Sequence, residues 1–151
     1  MFLTNPALVP IPNQPDLWWM ESAMVWQDMG TRITIPAGFI TDDASIPKVL
    51  DWLPCFDRQG LSRRPGLLHD GLYALGRSRG KAFADNTLRA ASIAEGLSPS
   101  CAWALYQGVH LFGRWAWDED ATEGIVGITS GDFITLAHYQ AFKDGGSQIF
   151  G

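Results

Sequence analysis

The hydrophobic pattern of this chain changes its period after about the first forty residues, and this change constrains the fold more than any other feature. Before it, RITIPAGFIT (32–41) places Ile33 and Ile35 between polar neighbours, which is the two-residue period of a half-buried strand. WWMESAMVWQD (18–28) has the aromatic and Val-containing composition of strands, and the Met-Gly pair after it can form a turn. The N-terminal part therefore predicts a β-hairpin or small antiparallel sheet.

Helical signals dominate the remaining chain. Pro65 suits the first turn of a helix that stops at Gly76, and Ser98 with Pro99 can open another by capping chemistry. The first predicted helix begins near Pro47 behind a Ser45 cap. Further helices are predicted over 65–75, 79–95 and 98–117, and a terminal helix at about 130–143 behind Ser130. The fold class is α+β: the sheet packs on a bundle of three to four helices in one domain, 1–151.

Composition narrows the class of protein. A chain of 151 residues with 46% hydrophobic residues can form one globular domain, and a net charge of −5 argues against broad nucleic-acid binding. No apolar run approaches the ~20 residues of a transmembrane helix, and the N-terminus does not resemble a signal peptide. We therefore expect synthesis in a cytoplasm, with any action outside requiring release. Cys55 and Cys101 form no CxxC pair and are expected to be two buried thiols.

The segment LLHDGLYALG (67–76) carries the main candidate site. His69 and Tyr73 are four residues apart and share a helix face, whereas His69 and Asp70 point about 100° from each other. His69 therefore needs a partner from another element, and Asp85 on the next predicted helix offers a carboxylate. An antiparallel pairing of the two helices predicts a His69–Asp85 dyad, with the Tyr73 hydroxyl fixing the carboxylate and Asp70 left for a metal.

Three segments together resemble a domain family of unknown function found in tailed phages and prophages: GFITDDASIPKVLDWL, LLHDGLYALG, and KAFADNTLRAASIAEGLSPSCAWALYQGVHLFGRWAW. The shared pattern is F-x-T-D-x-A-S-[IV]-P, then L-H-D-x-L-Y, then A-D at the start of the next helix, and it spans about residues 33–117. The resemblance implies a phage context but supplies no activity. The shared site that it implies consists of Thr41, Asp42, Ser45, His69, Asp70, Tyr73 and Asp85.

A second resemblance covers only four residues. His69, Asp70 and Tyr73, in H-D-x-x-Y spacing, are followed by Asp85 on the next predicted helix. This arrangement is similar to the paired catalytic helices of secreted phospholipase A2. That family implies His69 as general base, Asp70 as a calcium ligand, and Asp85 as the group that orients the histidine. The chain departs from the family because it has neither a disulfide network nor a glycine-rich calcium loop before the helix.

The residue types also allow a metal site, with alternatives left open. Asp70 with Asp42 or Asp43 would suit a hard cation such as Ca²⁺ or Mg²⁺, whereas His69 with two aspartates would suit Zn²⁺. Asp42 and Ser45 also fit capping chemistry for the helix near Pro47. Arg63 and Arg64 are candidates, with Ser45, for binding an anionic substrate group at the mouth of the site.

The sequence supports two functional hypotheses. The first is a phage-encoded, metal-assisted hydrolase that cuts an ester or amide bond of the cell envelope, either in lipid or in peptidoglycan peptide. The second is a non-enzymatic virion or tail-assembly protein, with other phage proteins as partners, in which the His/Asp/Tyr network is structural. A site reached by solvent favours the enzyme, and a sealed network favours the scaffold.

Overall fold

A computed structural model describes residues 1–42, 60–119, 131–144 and 149–151. Two small antiparallel sheets form the N-terminal part, and helices make up most of the remaining described chain. The α+β architecture expected from the change of period is therefore confirmed.

The strands form a three-stranded sheet and a two-stranded hairpin. The first sheet has the order β1, β2, β5, and the hairpin pairs β3 with β4. Met29 and Gly30, at the turn of the hairpin, both have positive φ, 37° and 88°. Two consecutive residues in this region match the twist that a tight hairpin needs, so the predicted turn is confirmed. The strands are β1 (Leu8–Ile11), β2 (Gln14–Met20), β3 (Met24–Asp28), β4 (Thr31–Ile35) and β5 (Ile40–Thr41).

The helices largely agree with the sequence signals. The Ser98 hydroxyl accepts a hydrogen bond of 3.3 Å from the Cys101 amide, so this predicted cap is confirmed. The terminal helix starts later than predicted, and Ser45, Pro47 and Ser130 lie outside the described residues. The helices are α1 (Arg63–Leu75), α2 (Lys81–Ala94), α3 (Pro99–Phe112), α4 (Arg114–Glu119) and α5 (Leu136–Asp144), with a short 3-10 helix at Arg77–Arg79 before α2.

The prediction of one long helix over 98–117 is wrong, because the chain breaks at Gly113 between α3 and α4. A Cβ atom at Gly113 would lie 2.4 Å from the Val109 carbonyl oxygen and 2.7 Å from the Tyr73 hydroxyl. The close approach of these groups therefore requires glycine. Phe112, the last residue of α3, is 54% exposed, whereas Ala116 and Trp117 of α4 pack against the core.

Helix α1 lies deep in the molecule. Its residues Leu68 and Leu72 are fully buried in one apolar cluster with strand residues such as Ile35, and each contributes about 1.5–3 kcal/mol by leaving water. At Gly71 the helix backbone comes so close to β4 that an added Cβ would lie 2.5 Å from Ile35 Cδ1. Because sheet and helix meet this closely, His69 and Tyr73 of α1 are buried as well.

Cys101 is half-buried and disulfide-bonded, so the expectation of two buried thiols is wrong. Cys55, the only other cysteine of the chain, lies outside the described residues. Sequence spacing could not reveal the bond, because a disulfide depends on the two Cα atoms coming within about 7 Å in the fold.

A membrane-spanning segment was not expected from the sequence. Among the described helices, none has the length and apolar character needed to cross a bilayer.

Candidate functional site

The packing of α1 against α2 brings His69 and Asp85 into contact. His69 Nε2 lies 3.0 Å from Asp85 Oδ1, and the two side chains are 7% and 0% exposed. The predicted contact between them is therefore present. Its origin is the short connection between two neighbouring helices, which places the middle of α1 beside the first turns of α2.

Tyr73 completes the arrangement on α1. Its hydroxyl donates a 2.8 Å hydrogen bond to the same Asp85 oxygen that contacts His69. Its ring lies 4.1 Å from the His69 ring and packs edge-on against Trp117 of α4, at 5.2 Å between ring centroids. The Arg77 guanidinium lies 4.1 Å from the centroid of the Trp117 ring and also donates to the Trp117 carbonyl at 2.6 Å. Contacts from two helices and the 3-10 turn thus fix Tyr73.

Lys81 neutralises the buried carboxylate. Its Nζ lies 2.6 Å from Asp85 Oδ2, one helical turn away on α2, and also donates to the Val109 carbonyl of α3 at 2.9 Å. With Lys81 charged and His69 neutral, the buried cluster has no net charge. This compensation is what makes a fully buried carboxylate tolerable.

The pKa values of the dyad result from these contacts. Burial raises the pKa of Asp85, but hydrogen bonds from His69, Lys81 and Tyr73 together outweigh it and bring the pKa to about 2. Burial lowers the pKa of His69 below 6.5, and the neighbouring carboxylate only partly opposes this. At neutral pH the pair is therefore an ionised Asp85 and a neutral His69.

This protonation state determines the tautomer of His69. An ionised carboxylate can only accept hydrogen bonds, so the His69 Nε2 that faces it must carry the proton. In a neutral ring the other nitrogen, Nδ1, then has a free lone pair. No hydrogen bond joins Nδ1 to any residue in the part of the chain that the structure describes. His69 is thus oriented so that Nδ1 can accept a proton.

His110 is a second histidine at this carboxylate. Its Nδ1 lies 3.5 Å from Asp85 Oδ2, its side chain is 49% exposed, and its ring stacks on Tyr106 at 5.4 Å. His110 was not among the candidate site residues of the sequence. The structure instead places it on the solvent side of the dyad, on α3.

Asp70 belongs to a different neighbourhood. Its Oδ2 accepts a 3.1 Å hydrogen bond from the fully buried Thr41 hydroxyl of β5, and Asp42 is the next residue of the chain after Thr41. His69 and Asp70 therefore face different elements, as their helical positions predicted. Within the described ranges, no group of three or more His, Cys, Asp or Glu side chains is arranged to hold a metal ion. Asp43, the alternative ligand, lies outside those ranges.

Two of the three predicted anion-binding residues, Arg63 and Arg64, lie in the described part of the chain. Arg64 forms a two-pronged ion pair with Glu95, at 2.6 and 2.9 Å, which joins the start of α1 to the end of α2. An anionic substrate would have to compete with this carboxylate for the guanidinium. Arg63 is half-buried in the first turn of α1, and Ser45 lies outside the described residues.

Sequence reasoning missed two members of the cluster. Lys81 precedes Asp85 by four residues, a spacing at which oppositely charged helix residues meet, so its contact was readable from the sequence. His110 is brought in from a separate helix, and no local pattern indicated that position.

Comparison with known proteins gives one match. The family described as "Protein of unknown function (DUF1353)" matches residues 18–109. The matched region starts and ends earlier than the predicted 33–117 and includes β3, β4, β5, α1, α2 and most of α3. No curated protein and no solved structure matches the chain. Because the matched region covers more than half of the 151 residues, the chain belongs to this family of unknown function.

Proposed function

We propose that this protein is a hydrolase in which His69 activates water for attack on an ester or amide bond. The observation that carries the proposal is the 3.0 Å contact between His69 Nε2 and the ionised Asp85, which leaves Nδ1 as a proton acceptor. A neutral histidine fixed by a carboxylate is a competent general base near neutral pH. The depressed pKa of His69 supports this role, because the base must be unprotonated to act.

In the proposed reaction, His69 Nδ1 removes a proton from water while the water oxygen bonds to the carbonyl carbon. The resulting tetrahedral species then breaks its bond to the leaving oxygen or nitrogen, which takes the proton back from His69. Asp85 stabilises the imidazolium that forms between these steps, and Tyr73 and Lys81 hold Asp85 in place and ionised.

A divalent cation, Ca²⁺ or Zn²⁺, is a separate part of the proposal, with Asp70 and Asp42 as its ligands. The described residues alone do not supply a three-ligand group, and we derive no step through a metal. His69 cannot serve both roles, because Nε2 faces Asp85 and Nδ1 can hold either a proton or a cation. Calorimetric titration with Ca²⁺, Mg²⁺ and Zn²⁺ tests this part directly: no heat with any of them removes the cation.

We further propose a phage origin and a cell-envelope substrate, either lipid or peptidoglycan peptide. The proposal rests on the motif resemblance of the three segments between residues 33 and 117, since phage entry and lysis require such cuts. The disulfide at Cys101 supports action outside a reducing cytoplasm, where such bonds persist. Synthesis in the host cytoplasm would then precede association with the virion or release to the envelope.

The burial of the dyad favours one alternative, a structural role in a virion or tail-assembly protein. Asp85 is fully buried and contacts side chains from three helices, namely His69 and Tyr73 of α1, Lys81 of α2 and His110 of α3. A network of this kind can hold a helical bundle together without any reaction.

Replacing His69 by Gln distinguishes the two functions, because Gln keeps a polar amide but cannot titrate. The hydrolase proposal expects His69→Gln to lose hydrolysis of a purified envelope fraction while melting close to wild type. The matched control is His138→Gln on α5, where the ring contacts Trp19 and Thr135. A wild type that degrades nothing in any of the three metals, together with a destabilised His69→Gln, would reject the hydrolase.

A further inference from the structure

Arg89 on α2 has a guanidinium nitrogen that no other protein group satisfies within the described residues. Its Nε atom is buried and has no hydrogen-bond partner among the described residues. Neither an ion pair nor a ring contact engages its guanidinium within that part of the chain. Other arginines of the helices behave differently: Arg64 pairs with Glu95, and Arg77 lies on Trp117. A buried N–H group without a hydrogen-bond partner costs free energy unless a bound group accepts from it.

Ser92, three residues further along α2, provides a second and independent observation. Its side chain is fully buried, and its hydroxyl also has no hydrogen-bond partner in the described structure. Buried hydroxyl groups are nearly always hydrogen-bonded, so an exception in a native fold requires an explanation such as a bound molecule. Residues three apart on a helix are neighbours, which places a donor hydroxyl beside the guanidinium.

Both residues lie on the face of α2 that carries the dyad. Arg89 is four residues after Asp85 and Ser92 is seven residues after it, so the three positions form one stripe along the helix. One helical turn is about 5.4 Å long. A group bound at Arg89 would therefore lie about one turn from the carboxylate that orients His69. Arg89 is only partly buried, so a ligand can reach it from solvent.

We infer that Arg89 and Ser92 form an anion-binding subsite for a phosphate or carboxylate group of the substrate. A guanidinium binds either group through paired N–H donors, and the hydroxyl adds a third donor. The assignment to the substrate rests on the proposed hydrolase, whereas anion binding itself does not. The bond to be cut would then lie near His69, within a few ångströms of an anionic group on the same molecule.

The test is calorimetric titration of the full-length protein with inorganic phosphate and, separately, with acetate, at constant ionic strength. We expect saturable binding of at least one anion by the wild type, and the stronger of the two identifies the group. Arg89→Met should weaken this binding at least about tenfold, since it removes a charged hydrogen bond. Arg89→Lys should retain part of it because the charge remains, and Ser92→Ala should weaken it about two- to tenfold.

Arg114→Met is the matched control, because Arg114 is on α4 with a side chain 87% exposed, and we expect it to bind as wild type does. Arg89→Met should melt at or above the wild-type temperature, since it removes a buried N–H group that has no partner among the described residues. A wild type that binds neither anion would overturn the inference. Equal anion binding by wild type and Arg89→Met would also overturn it. The same holds if Arg89→Met and Arg114→Met lose equal amounts of binding affinity. Binding through Arg89 without any hydrolysis would uphold the subsite and reject only the hydrolase.

Discussion

Replacing Asp85 by Asn should lower the free energy of unfolding at pH 7.5 by about 2–3 kcal/mol. The pKa of this carboxyl falls from 3.8 to about 2 on folding, because hydrogen bonds from His69, Lys81 and Tyr73 outweigh the opposing effect of burial. At about 1.4 kcal/mol per pKa unit, this difference corresponds to about 2.5 kcal/mol. A depressed pKa contributes its full stability above the unfolded value, so all of it is present at pH 7.5. The contact with the Lys81 ammonium, which loses its counter-ion in the variant, is part of this pKa shift.

Urea unfolding of both proteins, monitored by circular dichroism, measures this difference. Asp16→Asn is the control, because Asp16 is exposed on β2 and its replacement should change stability by less than about 0.5 kcal/mol. If Asp85→Asn folds and is as stable as the wild type within that margin, the buried network does not stabilise the helices and the reasoning from its contacts is refuted.

Two further predictions concern pH and packing. Because the pKa of His69 lies below its ordinary 6.5, the unfolded chain takes up the proton first, and wild-type stability should fall as pH drops below about 6.5. His69→Gln should flatten this part of a plot of unfolding free energy against pH. A second fall, between pH 3.8 and about 2, should be missing from Asp85→Asn. Gly71→Ala should cost about 1–3 kcal/mol in chemical unfolding, because its Cβ would lie 2.5 Å from Ile35 Cδ1. An unchanged midpoint would show that α1 and β4 can separate at little cost.

Elements with strong local signals were predictable from the sequence. The Met29-Gly30 turn and the Ser98 cap each depend on a few adjacent residues, and both appear as expected. The contact between His69 and Asp85 was predictable for a related reason. Two helices joined by a short connection pack against each other, so the register of their polar residues can be read from their spacing.

Features that depend on distant contacts were not predictable. The break at Gly113 reflects the close approach of Tyr73 from another helix, which no local pattern shows. His110 joins the site only because α3 packs on α2, and the disulfide of Cys101 likewise depends on the tertiary fold. The environment of Asp70 was predictable only in part. Helix geometry predicted that Asp70 points away from His69. Its hydrogen bond to Thr41, however, depends on where β5 lies in the fold.

The protonation state of the His69 ring is the central claim, and NMR of the imidazole nitrogens in ¹⁵N-labelled protein measures it. The chain has three histidines, and the His69 signals are those missing from the spectrum of His69→Gln. We predict that at pH 7 His69 is neutral, with its proton on Nε2 and a bare Nδ1, and that it titrates below pH 6.5. A ring that is charged at pH 7, or that carries its proton on Nδ1, would contradict the proposed general base.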